Sequence, residues 1–123
     1  MLFRSLVTAQ AVYAGTMRGS VYGLDRAGKM LWHFERAGLE FRAAPVRIGD
    51  LVIVADRRGQ VVGLNAADGT ERWTKDLGGD TDSNGAVVDN SIYYTGLDHR
   101  LLRIDVASGE TKTFDVRPPK AGK

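Results

Sequence analysis

Short apolar runs alternate with polar, glycine-bearing turns along the whole chain, and the alternation itself repeats. The clearest unit runs from Val52 to Trp73. Its two apolar segments, Val52 to Ala55 and Val61 to Leu64, are joined by Asp56-Arg57-Arg58-Gly59. A second turn, Ala66-Ala67-Asp68-Gly69, leads into a segment carrying Trp73. Runs this short, rich in β-branched residues and bounded by Gly, Asp and Asn, predict strands. Near-copies of the unit stand before and after it at a spacing of 40 residues: Val12, Val52 and Ile92 begin the first core strand, and Val21, Val61 and Leu101 the second. Leu24, Leu64 and Ile104 follow, each trailed by a short polar residue, Asp25, Asn65 and Asp105, and then by a glycine turn at Gly28, Gly69 and Gly109. The first copy is one residue shorter in that turn, so Trp32 and Trp73 lie 41 residues apart.

A further strand is expected ahead of each pair, at Ser5 to Thr8, Pro45 to Ile48 and Gly85 to Val88. The joining residues Ala9-Gln10, Gly49-Asp50 and Asp89-Asn90 suit tight hairpins. Each copy therefore predicts four short antiparallel strands in about 40 residues, the dimension of a propeller blade. No segment has sustained helical periodicity. The pattern predicts an all-β fold, an arc of three four-stranded antiparallel blades forming an incomplete ring. One repeat domain spans 1–123, with blades at about 3–41, 42–82 and 83–116 and a flexible tail at 117–123. Since a propeller ring typically takes four to eight blades, three do not close one. The arc is expected to be either part of a longer protein or a homo-oligomer that closes the ring by association.

Composition narrows the function classes. Apolar residues make up 43% of the 123, enough for a core. The 17 Lys and Arg against 15 Asp and Glu give a charge of +2 and no run longer than Arg57-Arg58, so no basic stripe indicates nucleic-acid binding. There is no cysteine, which excludes disulfides, thiolate metal sites and a cysteine nucleophile. The apolar residues around Arg4 ahead of Ala9-Gln10-Ala11 mimic a secretory leader, but Ser5, Thr8 and Gln10 interrupt the run. Residues 5–12 also align with the strand ahead of each later copy, and are expected to be folded protein. No membrane span is expected, because no stretch approaches the roughly 18 apolar residues of a spanning helix.

The second half of each unit carries a resemblance. Gly23 to Trp32 (GLDRAGKMLW) and Gly63 to Trp73 (GLNAADGTERW) resemble the tryptophan-docking repeat of quinoprotein-like β-propellers, the PQQ-type repeat, A-x-D-x-x-T-G-x-x-x-W. In that family the tryptophan of one blade stacks on the glycine turn of the next. The resemblance thus implies that Trp32 packs on Gly69 and Trp73 on Gly109. The third copy departs from it: Arg103 stands at the small first position and Thr113 at the tryptophan position. The resemblance also implies a cell-envelope or periplasmic setting, and two functional outcomes. Some members bind partner proteins without a cofactor. Others are quinone-dependent dehydrogenases, which need adjacent cysteines, a stacking tryptophan, a calcium site and a catalytic aspartate within an eight-blade ring. With no cysteine and three blades, this chain matches the first outcome: a non-catalytic scaffold or protein-interaction module with no cofactor, whose partners are proteins or further blades. A part of a dehydrogenase-type propeller is the alternative.

Local motifs add candidates. Gly23 to Met30 approaches a phosphate-binding loop, but Met30 replaces the hydroxyl that loop needs after its lysine, and a strand follows where a helix should. Asp80, Asp82 and Asn84 match the first half of an EF-hand calcium loop, with Ser91 at the twelfth position in place of glutamate. They are a weak metal candidate against the reading of an ordinary inter-blade turn. His33 and His99 occupy unrelated repeat positions, and no carboxylate pair is placed for acid–base work, so no catalytic residue is assigned. Arg57, Arg58, His99 and Arg100, in equivalent core-hairpin turns, are candidate partner-facing residues on one end of the arc.

Overall fold

Residues 3–8, 11–41, 44–77, 85–95 and 100–115 are described by the computed structural model. The strands are β1 (Phe3–Val7), β2 (Ala11–Thr16), β3 (Ser20–Asp25), β4 (Met30–Glu35), β5 (Val46–Ile48), β6 (Leu51–Ala55), β7 (Gln60–Asn65), β8 (Glu71–Asp76), β9 (Ala86–Val88), β10 (Ser91–Thr95), β11 (Arg100–Asp105) and β12 (Thr111–Asp115). They form three separate four-stranded sheets, each ordered as in the chain and antiparallel throughout. The fold is an all-β, incomplete propeller arc. The expected tail at 117–123 and the turn Ala9-Gln10 lie outside the described residues.

The turns follow from their residues. Gly28, Gly69 and Gly109 take φ of 91°, 76° and 78°, a left-handed backbone that costs a glycine little. The shorter first turn closes by a bond from Gly28 N to Asp25 O, whereas Gly69 N reaches back one residue further, to Asn65 O. The recurring polar residues brace these turns. Asp25 Oδ1 accepts from the amides of Ala27 and Lys29, Asp105 Oδ1 from those of Ala107 and Ser108, and Asn65 donates to Thr70 Oγ1. Asp89 sits at the tip of the β9–β10 hairpin with φ 53°, in the place that Gly49 takes, at φ 58°, between β5 and β6.

Among the described residues two cores lie between the sheets, because a single sheet cannot bury its own faces. Ala11, Tyr13, Val21 and Trp32 of blade 1 meet Val52, Val54, Val62 and Leu64 of blade 2, with Phe41 from the connection. Leu51, Ile53, Val61 and Trp73 of blade 2 meet Ile92, Tyr94, Leu102 and Ile104 of blade 3. Strand β6 is buried at all five positions, because alternate side chains feed the two cores in turn. Burial pushes the ionisation of the Tyr94 hydroxyl well above its ordinary range.

Candidate functional site

Each blade junction is built around an indole. Gly23 pairs with Trp32 across β3 and β4, and Gly63 with Trp73 across β7 and β8, each pair followed by a register shift that sets the tryptophan opposite the glycine. The ring lies against its own blade's glycine on one side and the next blade's glycine turn on the other. A methyl built on Gly23 would come within 2.4 Å of Trp32 Cε2, and one on Gly69 within 2.4 Å of Trp32 Cε3. The second junction is alike, at 2.6 Å from Gly63 to Trp73 Cε2 and 2.9 Å from Gly109 to Trp73 Cγ. Each indole nitrogen then donates to a carbonyl of the next blade, Trp32 to Ala66 O and Trp73 to Val106 O, both at 2.8 Å. A buried indole is thereby left with its one polar atom satisfied.

Blade 3 has no such register shift, and its pairs run Ile104–Thr111, Arg103–Lys112 and Leu102–Thr113. Lys112, not Thr113, therefore stands opposite the small-residue position. Simple counting of the repeat places Thr113 there because the extra residue that bulges β4 and β8 is taken up into the regular ladder of β12. Arg103 and Lys112 both lie against Phe114, at 5.8 and 5.3 Å from its ring centroid.

Polar struts that sequence reading missed supplement the first junction. Arg36 reaches Glu71 and, at 3.2 Å, Thr74 Oγ1 of blade 2, while Thr74 donates to the second Glu71 oxygen. The Thr74 hydroxyl first, and the Arg36 guanidinium with it, hold the Glu71 carboxyl below its ordinary range. Arg47 donates to the Tyr13 hydroxyl at 2.8 Å. These partners are more than 30 residues apart in the chain, and only the packing of blades brings them together.

Of the candidate partner-facing residues, Arg57 and Arg58 occupy the β6–β7 turn, Arg57 within 3.7 Å of Glu40 and Arg58 exposed. Arg18 is exposed in the equivalent β2–β3 turn and joins them at that end of the arc. Arg100 is the first residue of β11, half-buried and paired in register with Asp115, so it belongs to the strand. His99 lies outside the described residues, as do Asp80, Asp82 and Asn84. Among the described residues no group of three His, Asp or Glu is placed to hold a metal. His33 stacks on Tyr22 at 4.6 Å. Gly23 to Met30 runs from β3 through a turn into β4, with no helix for a phosphate. Asp56 is 1% exposed with Oδ1 bound by the Arg58 amide and Oδ2 without a partner. At the opposite end a cleft of 160 Å³ between blades 2 and 3 is lined by Asp50, Leu51, Arg72 and Asn90 among others. It is smaller than the roughly 300–1,000 Å³ of pockets that enclose small organic ligands.

Comparison with known proteins places this geometry. A family model described as outer membrane protein assembly factor BamB matches residues 5–117. A tetrathionate hydrolase of Acidithiobacillus ferrooxidans is 34% identical over 76 residues, 60% of this chain and 15% of the relative. The outer membrane protein assembly factor BamB of Xanthomonas campestris is 35% identical over 80 residues, 57% of this chain and 20% of the relative. Among solved structures, BamB from Moraxella catarrhalis superposes with a TM-score of 0.70 at 25% identity, over 87% of this chain and 34% of that one. A europium-containing methanol dehydrogenase superposes with a TM-score of 0.73 over 89% of this chain and 24% of that one; at 16% identity this likeness is one of fold. The chain thus spans a fifth or less of the length of the two sequence relatives.

Proposed function

The chain belongs to the family of the outer membrane protein assembly factor BamB, and from that premise we propose that it is a non-catalytic propeller module that holds protein partners without a cofactor. The observation that carries the reading is what the polar residues are used for. The recurring Asp25, Asn65 and Asp105 brace turns, Glu71 and Thr74 receive Arg36 across a junction, and His33 lies flat on Tyr22. These side chains are spent on architecture. At one end of the arc the turn tips carry exposed Arg18 and Arg58 beside the Arg57–Glu40 pair, and these form a footprint for an acidic protein surface.

A second reading, a segment of a propeller enzyme, draws on the 34% identity with tetrathionate hydrolase and, for a quinone-dependent dehydrogenase, on the fold shared with methanol dehydrogenase. Calorimetric titration of the chain with pyrroloquinoline quinone and calcium separates the module from the quinone-dependent dehydrogenase. The module reading expects no saturable heat. Saturable binding at one site per chain overturns it in favour of the enzyme.

A further inference from the structure

The end of the arc opposite Arg18, Arg57 and Arg58 holds the 160 Å³ cleft between blades 2 and 3. Its floor is aliphatic: Ile48, Leu51 and Val106 are 8%, 1% and 3% exposed. Its rim is polar, formed by Asp50 and Asn90 at the tips of the β5–β6 and β9–β10 hairpins and by Arg72 of β8. No residue before Ile48 or after Ala107 enters it, so both walls belong to the two blades that it separates. A cavity of about 150 Å³ lined by apolar side chains holds one benzene. The cleft is therefore too small to enclose an organic ligand and is sized for one aliphatic side chain offered by something larger.

Arg72 sets what must accompany that side chain. It is the residue that bulges from β8, and the bulge does not need a guanidinium, because Leu31 takes the same place in β4. Nor is the charge consumed by its neighbours. Among the described residues Arg72 makes one hydrogen bond, from Nη1 to Asn65 Oδ1 at 3.1 Å. The carboxylate paired with it, Asp50 Oδ2, stands 3.8 Å away on a side chain 85% exposed, beyond hydrogen-bond contact. With 40% of its side chain exposed, Arg72 keeps N–H donors for a carboxylate arriving from outside, the group that a planar guanidinium binds best. The exposed Asn90 amide offers a further donor on the rim.

An aliphatic side chain and a carboxylate must then reach the cleft together. Within an extended chain they do so poorly: neighbouring side chains point to opposite faces, and the next one on the same face is about 7 Å further on. On the last residue of a chain both groups hang from one Cα. We propose that the cleft captures the C-terminal residue of a partner polypeptide, its aliphatic side chain on Ile48, Leu51 and Val106 and its carboxylate on Arg72, a terminal-carboxylate mode of peptide recognition. The proposal rests on the module reading and names what the partner presents. Its test contains no quinone, so the two fail independently.

The probe is a short peptide of glycine and serine ending in leucine, with a free carboxylate, titrated into the isotope-labelled chain and followed by amide chemical shifts. Saturating shifts are expected at Gly49, Asp50, Asn90 and Ala107, with a dissociation constant of about 1 mM or below. Amidating the peptide's terminus, or moving the leucine and an aspartate to the middle of an amidated peptide, is expected to weaken binding at least about 10-fold. Arg72→Leu, which copies the residue that blade 1 carries in its bulge, and Ala107→Phe, which fills the cleft from an exposed turn, are expected to do the same. Asp50→Asn removes a competing carboxylate and is expected to tighten binding about 3-fold, the weight of one exposed ion pair. Absent shifts, an amidated or internal peptide that binds as well, or indifference to Arg72→Leu or Ala107→Phe overturns the proposal. Looser binding by Asp50→Asn would mean that the cleft takes a cation, and isovalerate binding as tightly as the peptide would mean that it serves a free acid; either result overturns the proposal too.

Discussion

Trp73→Ala removes the side chain that joins blades 2 and 3. A buried indole withdraws on the order of 200 Å² from water, which at about 25 cal/mol per Å² gives an upper bound of about 5 kcal/mol. Truncation of buried tryptophans costs about 3–5 kcal/mol. At 8% exposure, with its ring between two glycines, Trp73 leaves a cavity that neither glycine can fill. Its bond to Val106 O is lost as well, worth about 1 kcal/mol. The expected loss is about 4 kcal/mol, or a fall in Tm of about 15 °C for a domain of this size. Because stacked repeats are coupled through neighbouring interfaces, the urea transition should also broaden or split as blade 3 comes loose first. Circular dichroism melts and urea titrations followed in the far ultraviolet measure both. Thr113→Ala, on an exposed side chain, is the control and should stay within about 0.5 kcal/mol. A Trp73→Ala chain melting within about 3 °C of wild type would refute the idea that the indole couples the blades.

The remaining predictions concern single contacts. Gly63→Ala pushes a methyl to 2.6 Å from Trp73 Cε2 and should cost about 1–3 kcal/mol, but far less in a Trp73→Ala background; equal losses in both would deny the contact. The Glu71 carboxyl is lowered from its ordinary 4.5 in the folded chain, so its contribution is full above that value and fades as pH falls through the folded one. At over a third exposed it is worth less than about 1 kcal/mol. The Tm gap between wild type and Glu71→Gln should therefore narrow from pH 6 to pH 3, and a constant gap would remove the carboxylate from the account. Asp56 leaves a buried carboxylate oxygen unpaired, while the equivalent Thr16 accepts the amides of Arg18 and Ser20 through its hydroxyl. Asp56→Thr should raise stability by about 1 kcal/mol; a lower Tm would mean the carboxylate is needed there.

Much of the fold was legible because the hydrophobic period and the turn residues are local. The spacing of Val12, Val52 and Ile92 locates the first core strand of every sheet, and the glycine turns fall where φ is positive. Two kinds of feature escaped. One is register: whether a residue bulges out, as Leu31 and Arg72 do in β4 and β8, or joins the ladder, as Lys112 does in β12, depends on the indole that must be accommodated and not on residue type. The other is contact between blades. Nothing near Arg36 announces Glu71, nor near Arg47 announces Tyr13, because each pairing is made by the angle at which two sheets stack. The partner-facing end was legible only in part. A turn shows its arginines in sequence, as at Arg57-Arg58, but Arg100 could be assigned to a strand only once its pairing with Asp115 was known.

The central claim is that, among the described residues, the middle blade is covered on both faces, by blade 1 on one and by blade 3 on the other. Native-state hydrogen exchange tests it residue by residue. The slowest amides are expected in β6 and β7, at Val52, Val54 and Val62, exchanging only on global unfolding, with β1, β9 and β12 opening first. Protection that is uniform across the three sheets, or greatest in blade 3, would contradict the account.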